Sequence, residues 1–402
     1  MDSLPELTFG QRLKAYRERS GKTRAVLGGL VGRSAEWVKA VETDRILPPR
    51  IHMLDRIARA LKVEVSALAG ELGARSAVVN GPEHPALPSV RDAVNRFALS
   101  DDVSPEPLTS LRDRLAMAWR ARHQASHRTV LGGLLPGLLR DVQRAVLAYE
   151  GDERRQAQAL LAETFGLTQM FLAYQPAAEV LWRVADRAMV AAQESGDPEA
   201  VACAGWFLCQ VHRDAGDWDT ATSVTVDLLS ALESRATDGN TNLLALWGAL
   251  NFEAAYTAAR AGEEGRAWRY WDRADQVAQR LPTGFYQPQT SFSQVIMGAH
   301  AVTVAVELQK SGEAVRQARR HDSAAIPSRP RRARHLIEVA RAHYGKDDKE
   351  AAVMTLRQAY ESAPETIRFN GYARQITLDL LDGPRSTRDD ARGLGIKVGL
   401  LS

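Results

Sequence analysis

The sequence predicts an all-α fold, a bundle of short helices followed by a long superhelix of helix pairs. Three observations predict it. Apolar residues recur at three- and four-residue spacing, from Phe9 to Tyr16 and again from Leu108 to about Leu381. No segment sustains the strict alternation of a half-buried strand. Small residues also return at fixed offsets from Gly-acidic turns, the mark of stacked repeats.

The chain of 402 residues is long enough for two or more folded parts, each with its own core. Hydrophobic residues make up 45% and charged residues 25%, and no apolar run approaches the length that spans a bilayer, which excludes a transmembrane protein. Met1 to Phe9 carries Asp2 and Glu6 and lacks the basic-then-apolar block of a secretory signal, so the expected location is the cytoplasm. Cys203 and Cys209 lie six residues apart, about 240° round a helix from each other, and read as reduced structural thiols. Arg outnumbers Lys 44 to 8, a bias of GC-rich genomes.

Charge is distributed unevenly. Residues 1–70 hold 13 Lys and Arg against 8 Asp and Glu, while the remaining residues hold 39 against 41. The basic excess points the N-terminal end toward a polyanion.

Five helices are predicted over residues 8–70. Phe9, Leu13 and Tyr16 form the apolar stripe of the first, which stops at Ser20-Gly21. Thr23 caps a second with Val26, Leu27 and Leu30 inward, and Gly32 supplies the turn after it. Ser34 caps a third, which buries Val38 and Val41 with Trp37 beside them as partial core. Pro48-Pro49 separates a fourth, carrying Leu54, Ile57 and Leu61, and Ser66 to Leu68 open the fifth. Prolines at 82, 85, 88, 105 and 107 then surround one short amphipathic piece, Val90 to Phe97. The expected organisation is a helical head at 1–72, a linker at 73–107, helical repeats at 108–383 and a tail at 384–402.

Within the repeats, Gly216-Asp217 and Gly262-Glu263 each precede an alanine by five residues, and core residues follow at +4 and +7: Ala178, Trp182, Ala185; Ala267, Trp271, Ala274; Ala352, Leu356, Ala359. The starting alanines 178, 221, 267, 314 and 352 stand 38 to 47 residues apart. This resembles the second helix of the tetratricopeptide repeat with lengthened helices, in which small residues let paired helices approach closely.

The stretch Phe9-Gly10, Leu13, Arg17, Gly21, Thr23, Val31-Gly32-Arg33-Ser34, Val41-Glu42, Pro48 and Leu54-Ile57-Ala58-Leu61 resembles the Xre/lambda-repressor class of helix-turn-helix domains. The resemblance implies double-stranded DNA as partner, with the third helix in the major groove, and an internal ion pair between Arg17 and Glu42. On the family pattern Ala35, Glu36 and Ala40 match base-contacting positions, with Lys39 beside them and Arg33 and Ser34 leading in; Thr23 and Arg24 open the second helix, and Arg45 and Arg50 are phosphate candidates. A homodimer is expected, because one such head covers only a half-site. The union of this head with tetratricopeptide-like repeats is similar to the peptide-pheromone receptors of Gram-positive bacteria and to large actinobacterial Xre regulators.

In the repeats, Asn251, Tyr256, Tyr286, His300, Arg331 and Asn370 are the candidate contacts for a peptide or small effector. The arginines near 331 would take a terminal carboxylate, although the run Arg329, Arg331, Arg332, Arg334 reads first as a solvated helix face. His123 and His127 have the spacing of two metal ligands on one helix but lack a third, so no metal site and no cofactor is expected. Gly132-Gly133 and Gly137 lack the Lys-Ser/Thr ending of a phosphate loop and read as packing or turn residues. No catalytic grouping is present, and the function read from the sequence is a transcriptional regulator with a sensing superhelix. The alternative is a protein-interaction adaptor that dimerises constitutively without ligand.

Overall fold

The computed structural model describes residues 8–46, 49, 51–61, 63, 68, 83–97, 104–237, 239–381 and 383–401. Among them it is all-α with no strand. The head comprises α1 (Phe9–Arg19), α2 (Arg24–Leu30), α3 (Ala35–Glu42) and α4 (Ile51–Leu61). The predicted fifth helix lies outside the described residues apart from Leu68, which is helical and fully buried. Phe9, Leu13 and Tyr16 meet Leu27, Val31, Val38, Val41, Ile57 and Leu61 in one core, with Trp37 half-buried at its edge. Thr8, Thr23 and Ser34 each accept from a backbone N–H in the first turn of α1, α2 and α3, satisfying donors the helix start leaves unpaired. One expectation fails: only Leu27 of α2 points inward, while Val26 and Leu30 are 51% and 56% exposed. A two-turn helix wedged against α3 buries a single row, and Leu27 continues into Val31 at i+4, leaving its flanks to solvent.

Between head and body, α5 (Leu87–Asn95) is the amphipathic piece expected in the linker. Its Leu87, Val90 and Val94 join the body's main core. The body continues through α6 (Leu108–Arg122), α7 (His127–Ala148), α8 (Gly151–Leu172), α9 (Ala178–Ser195), α10 (Pro198–Ala215), α11 (Trp218–Thr237), α12 (Thr241–Ala261), α13 (Glu264–Gln279), α14 (Met297–Glu307), α15 (Ser311–Arg319), α16 (Arg329–Gly345) and α17 (Lys349–Ser362). Then come α18 (Pro364–Phe369), α19 (Gly371–Leu381) and α20 (Arg385–Lys397). The segment read as a tail is thus mostly α20, which buries Ala391, Leu394 and Val398 against Leu356, Ile376 and Leu380.

α5 packs on α7, and from α6 onward each helix packs on the next; α6, α8, α10, α12, α14 and α16 also pack on one another in that order, forming an inner wall. The repeat alanines sit on the outer partners: Ala221, Ala267, Ala314 and Ala352 are fully buried where the helices cross. On α9 the register is one residue earlier than the sequence pattern suggests. Ala177 is buried with Val184 and Ala188, whereas Ala178 and Trp182 face outward; Ala185, the third residue of the expected triplet, is buried.

The superhelix closes on itself. The Glu365 carboxylate of α18 accepts from the backbone N–H of Arg128 (2.6 Å) and of Thr129 (3.2 Å) at the start of α7. The N–H of Arg329 donates to the His123 carbonyl at 3.1 Å. The first helix pair, α6 and α7, therefore shares a seam with α16 and α18. His123 follows the end of α6 and His127 opens α7, so their sequence spacing does not correspond to one turn of a single helix.

Candidate functional site

In the head, Glu42 at the end of α3 is fully buried and binds two arginines. Arg17 of α1 contacts it through Nε and through Nη2 (3.2 Å), and Arg24 of α2 donates from Nε at 2.7 Å. This one carboxylate ties three helices together. Gly10 lies where α1 crosses α3; a Cβ there would enter the Val41 carbonyl oxygen, so no larger residue fits.

The start of α3 is the predicted groove-reading segment. Ser34 and Thr23 are helix caps, Glu36 and Arg45 are exposed, Ala35 and Lys39 are half-buried, and Ala40 faces the core at 3% exposure. Lys39 lies 3.9 Å from Glu36, and Arg24 is held by Glu42. Arg50 lies outside the described residues.

Arg33 is engaged by the body. Its Nη1 donates to the Arg260 carbonyl at the end of α12, and its guanidinium is stacked between Trp37 of the head and Trp218 at the start of α11. Burial, then the charge of Arg260, holds its pKa well below the usual value. Gly262, at φ +83°, makes the close approach possible, because a Cβ there would stand 2.9 Å from the Ser34 side chain. Trp218 and Ala261 join the head's core. The head thus sits against the rim of the superhelix at Arg33 and Ser34, the two residues that lead into α3.

The inner wall encloses a cavity of about 1380 Å³, bounded on one side by Phe9, Trp37, Met53 and Leu54 of the head. That exceeds the roughly 300–1,000 Å³ of ordinary small-molecule pockets. Along the wall runs an alternating ladder of charges: Glu253–Arg213–Asp214–Arg260–Glu307–Arg341–Glu338–Arg334. Arg260 meets Asp214 at 2.7 Å and Glu307 at 3.7 Å; Arg341 meets Glu307 at 2.8 Å and Glu338 at 2.5 Å. Burial alone would raise the Glu307 carboxyl, but the guanidiniums of Arg341 and Arg260 reverse the effect and hold it below the usual range. The sequence reading missed this ladder. Its trace was a charged residue near the end of successive apolar helices, as at Arg213, Arg260 and Glu307.

Of the predicted effector contacts, Tyr256 and Arg331 line the cavity. His300 stands behind Arg331, its Nε2 2.7 Å from the guanidinium and its ring stacked on Phe252 at 3.4 Å. The half-buried Tyr286 ring packs edge-on against His123. Asn251 is turned into the helix, donating to the Trp247 carbonyl at 3.0 Å, and Asn370 caps α19 by accepting from Ala373. The arginine run is not a solvated face. Arg331 and Arg334 point into the cavity, and Arg334 donates to the Tyr174 hydroxyl at 2.6 Å; Arg332 caps the carbonyls of Ala324 and Ile326, and only Arg329 is exposed. Closure of the superhelix turned that helix face inward.

Residues 8–69 match the helix-turn-helix domain family. No curated protein matches the chain. Among solved structures, PlcR of Bacillus thuringiensis in complex with the peptide PapR7 and DNA is 11% identical, over 85% of this chain and 98% of that one, at a TM-score of 0.29. A mutant of PrgX is 8% identical, over 85% and 96%, at 0.31. The apo form of the competence regulator ComR from Streptococcus vestibularis is 15% identical, over 74% and 97%, at 0.25.

Proposed function

We propose that the protein is a DNA-binding transcriptional regulator whose superhelix binds an effector and thereby controls the head. The helix-turn-helix domain at residues 8–69 carries the reading. Lys39, Glu36, Ala35 and the flanking Arg33 and Arg45 would face DNA from α3 and its ends, with phosphate contacts supplying most of the affinity. A dimer would place two such heads on a two-fold site, and light scattering of the full chain tests it.

The effector reading rests on one contact. Arg33 cannot serve DNA while it lies on Trp218 and the Arg260 carbonyl. Arg260 is also a rung of the ladder that lines the cavity. A ligand that rearranges the ladder would favour the undocked head by its difference in affinity for the two states.

Gel shifts at physiological salt with fragments selected from genomic DNA test both parts. Arg33→Ala with Lys39→Ala is expected to weaken binding roughly 30-fold or more, from the loss of two cationic contacts. Trp218→Ala is expected to strengthen it roughly tenfold, because the docked state loses its largest apolar contact. Unchanged binding in the double variant would remove the DNA reading. Unchanged binding in Trp218→Ala would remove the coupling and favour a constitutive scaffold.

A further inference from the structure

We propose that the seam end of the cavity is a binding site for an organic phosphate monoester, seated between Arg122 and Arg331. The proposal rests on the reading of the cavity as the effector site and names the chemistry of the ligand.

Every charge of the ladder already has a partner, with four guanidiniums facing four carboxyl groups. Arg122 and Arg331 stand outside it. Neither has a carboxylate partner among the described residues, and Glu253, the acid whose field reaches Arg331, is taken by Arg213. Arg122 leaves Nε and Nη1 without a hydrogen-bond partner, and its Nη2 meets only the Met170 sulfur at 3.5 Å. Beside them stand the hydroxyls of Tyr286 and Ser328, close to each other and to Arg331. Burial keeps His300 neutral, so it adds no charge, and its Nδ1 has no partner either.

Such a set is rich in donors and holds no anionic acceptor, and a buried guanidinium without a counter-ion is costly. Burial, together with the repulsion of Arg128, pushes Arg122 down to about 10. Arg128 itself is partly compensated by Glu365 and donates to the Phe171 carbonyl. Two uncompensated positive charges therefore remain. A carboxylate would cancel one of them. A phosphate monoester carries close to two negative charges near neutral pH and three acceptor oxygens, which matches both the charge and the donor count. Phe252, Tyr174 and Tyr256 line the adjoining wall, where the organic part of the ligand would lie.

Calorimetry and thermal shift on the full chain test this with methyl phosphate against methyl sulfate, which has the same shape but one charge. Methyl phosphate is expected to bind at least about tenfold more tightly. Arg122→Met and Arg331→Met are each expected to lose at least about tenfold in phosphate affinity while the melting temperature of the unliganded chain holds or rises, since a buried uncompensated charge has gone. The exposed Arg319→Met should change nothing. Equal binding of the two esters, or a phosphate response that survives in both variants, overturns the proposal. Preference for glycerol phosphate over a phosphoserine tripeptide, or the reverse, identifies a metabolite or a peptide as the source, and either supports the site. Phosphate binding by a chain that does not retain DNA would leave the site standing and remove the regulatory reading. DNA binding without phosphate binding would do the opposite.

Discussion

Glu42→Ala is expected to unfold the head while leaving the superhelix folded. The substitution strands Arg17, itself buried, and releases Arg24, so α1 and α2 both lose their tie to α3. Removing one partner of a buried ion pair costs about 3–5 kcal/mol, because the remaining charge stays desolvated. A bundle of some 60 residues has net stability of about that size. Two-domain thermal unfolding followed by circular dichroism should show the head's transition displaced below physiological temperature and the body's unchanged, with DNA retention lost. Glu42→Gln, which keeps the hydrogen bonds but not the charge, should fall between. A head transition unmoved in Glu42→Ala would mean that the apolar core alone holds the three helices.

Glu307→Ala should have an effect of similar size on the body. Glu307 is the centre of the ladder, bound by Arg260 on one side and Arg341 on the other. Its loss leaves two buried guanidiniums sharing fewer carboxylates, at a cost of about 3–5 kcal/mol, or roughly a 10 °C fall in melting temperature for a domain of this size. Replacing Glu307 and Arg341 together by leucine should recover much of the loss. The pH dependence fixes the sign. A carboxyl whose pKa is lower in the folded than in the unfolded chain contributes stability that is complete above the unfolded value, near 4.5, and is lost as pH falls through the folded value. The native chain should therefore lose stability below about pH 4.5, and Glu307→Ala should show a shallower acid slope.

The head was legible because its signals are local. Caps at Thr23 and Ser34, the turn at Gly32 and the stripe Phe9, Leu13, Tyr16 each specify structure within a few residues, and Arg17 with Glu42 followed from the family pattern. The docking of Arg33 was not legible, since its partners Trp218 and Arg260 lie roughly 200 residues away and nothing near Arg33 announces them. The body's helix pairs were legible from alanines and turns, although on α9 two adjacent alanines allowed a one-residue slip. Which helix face is inside was not, because a pattern of period 3.6 shows an amphipathic stripe but not the curvature that decides what faces it. Asn251 and Asn370 were chosen as polar residues in apolar helices, and they satisfy their own backbone instead.

The seam at Glu365 alters how the body comes apart. In an open solenoid each repeat answers only to its neighbours, so the ends fray and unfolding can proceed in stages. Joining Arg128 and Thr129 to a residue some 236 positions later makes terminal fraying break the ring, and the cost is shared by every repeat between. The joined ends must also find each other late, after the intervening helices have curved, which raises contact order and slows the final step. The body should then behave as one cooperative block, opening at the seam first, and whatever binds beside that seam acts as its latch.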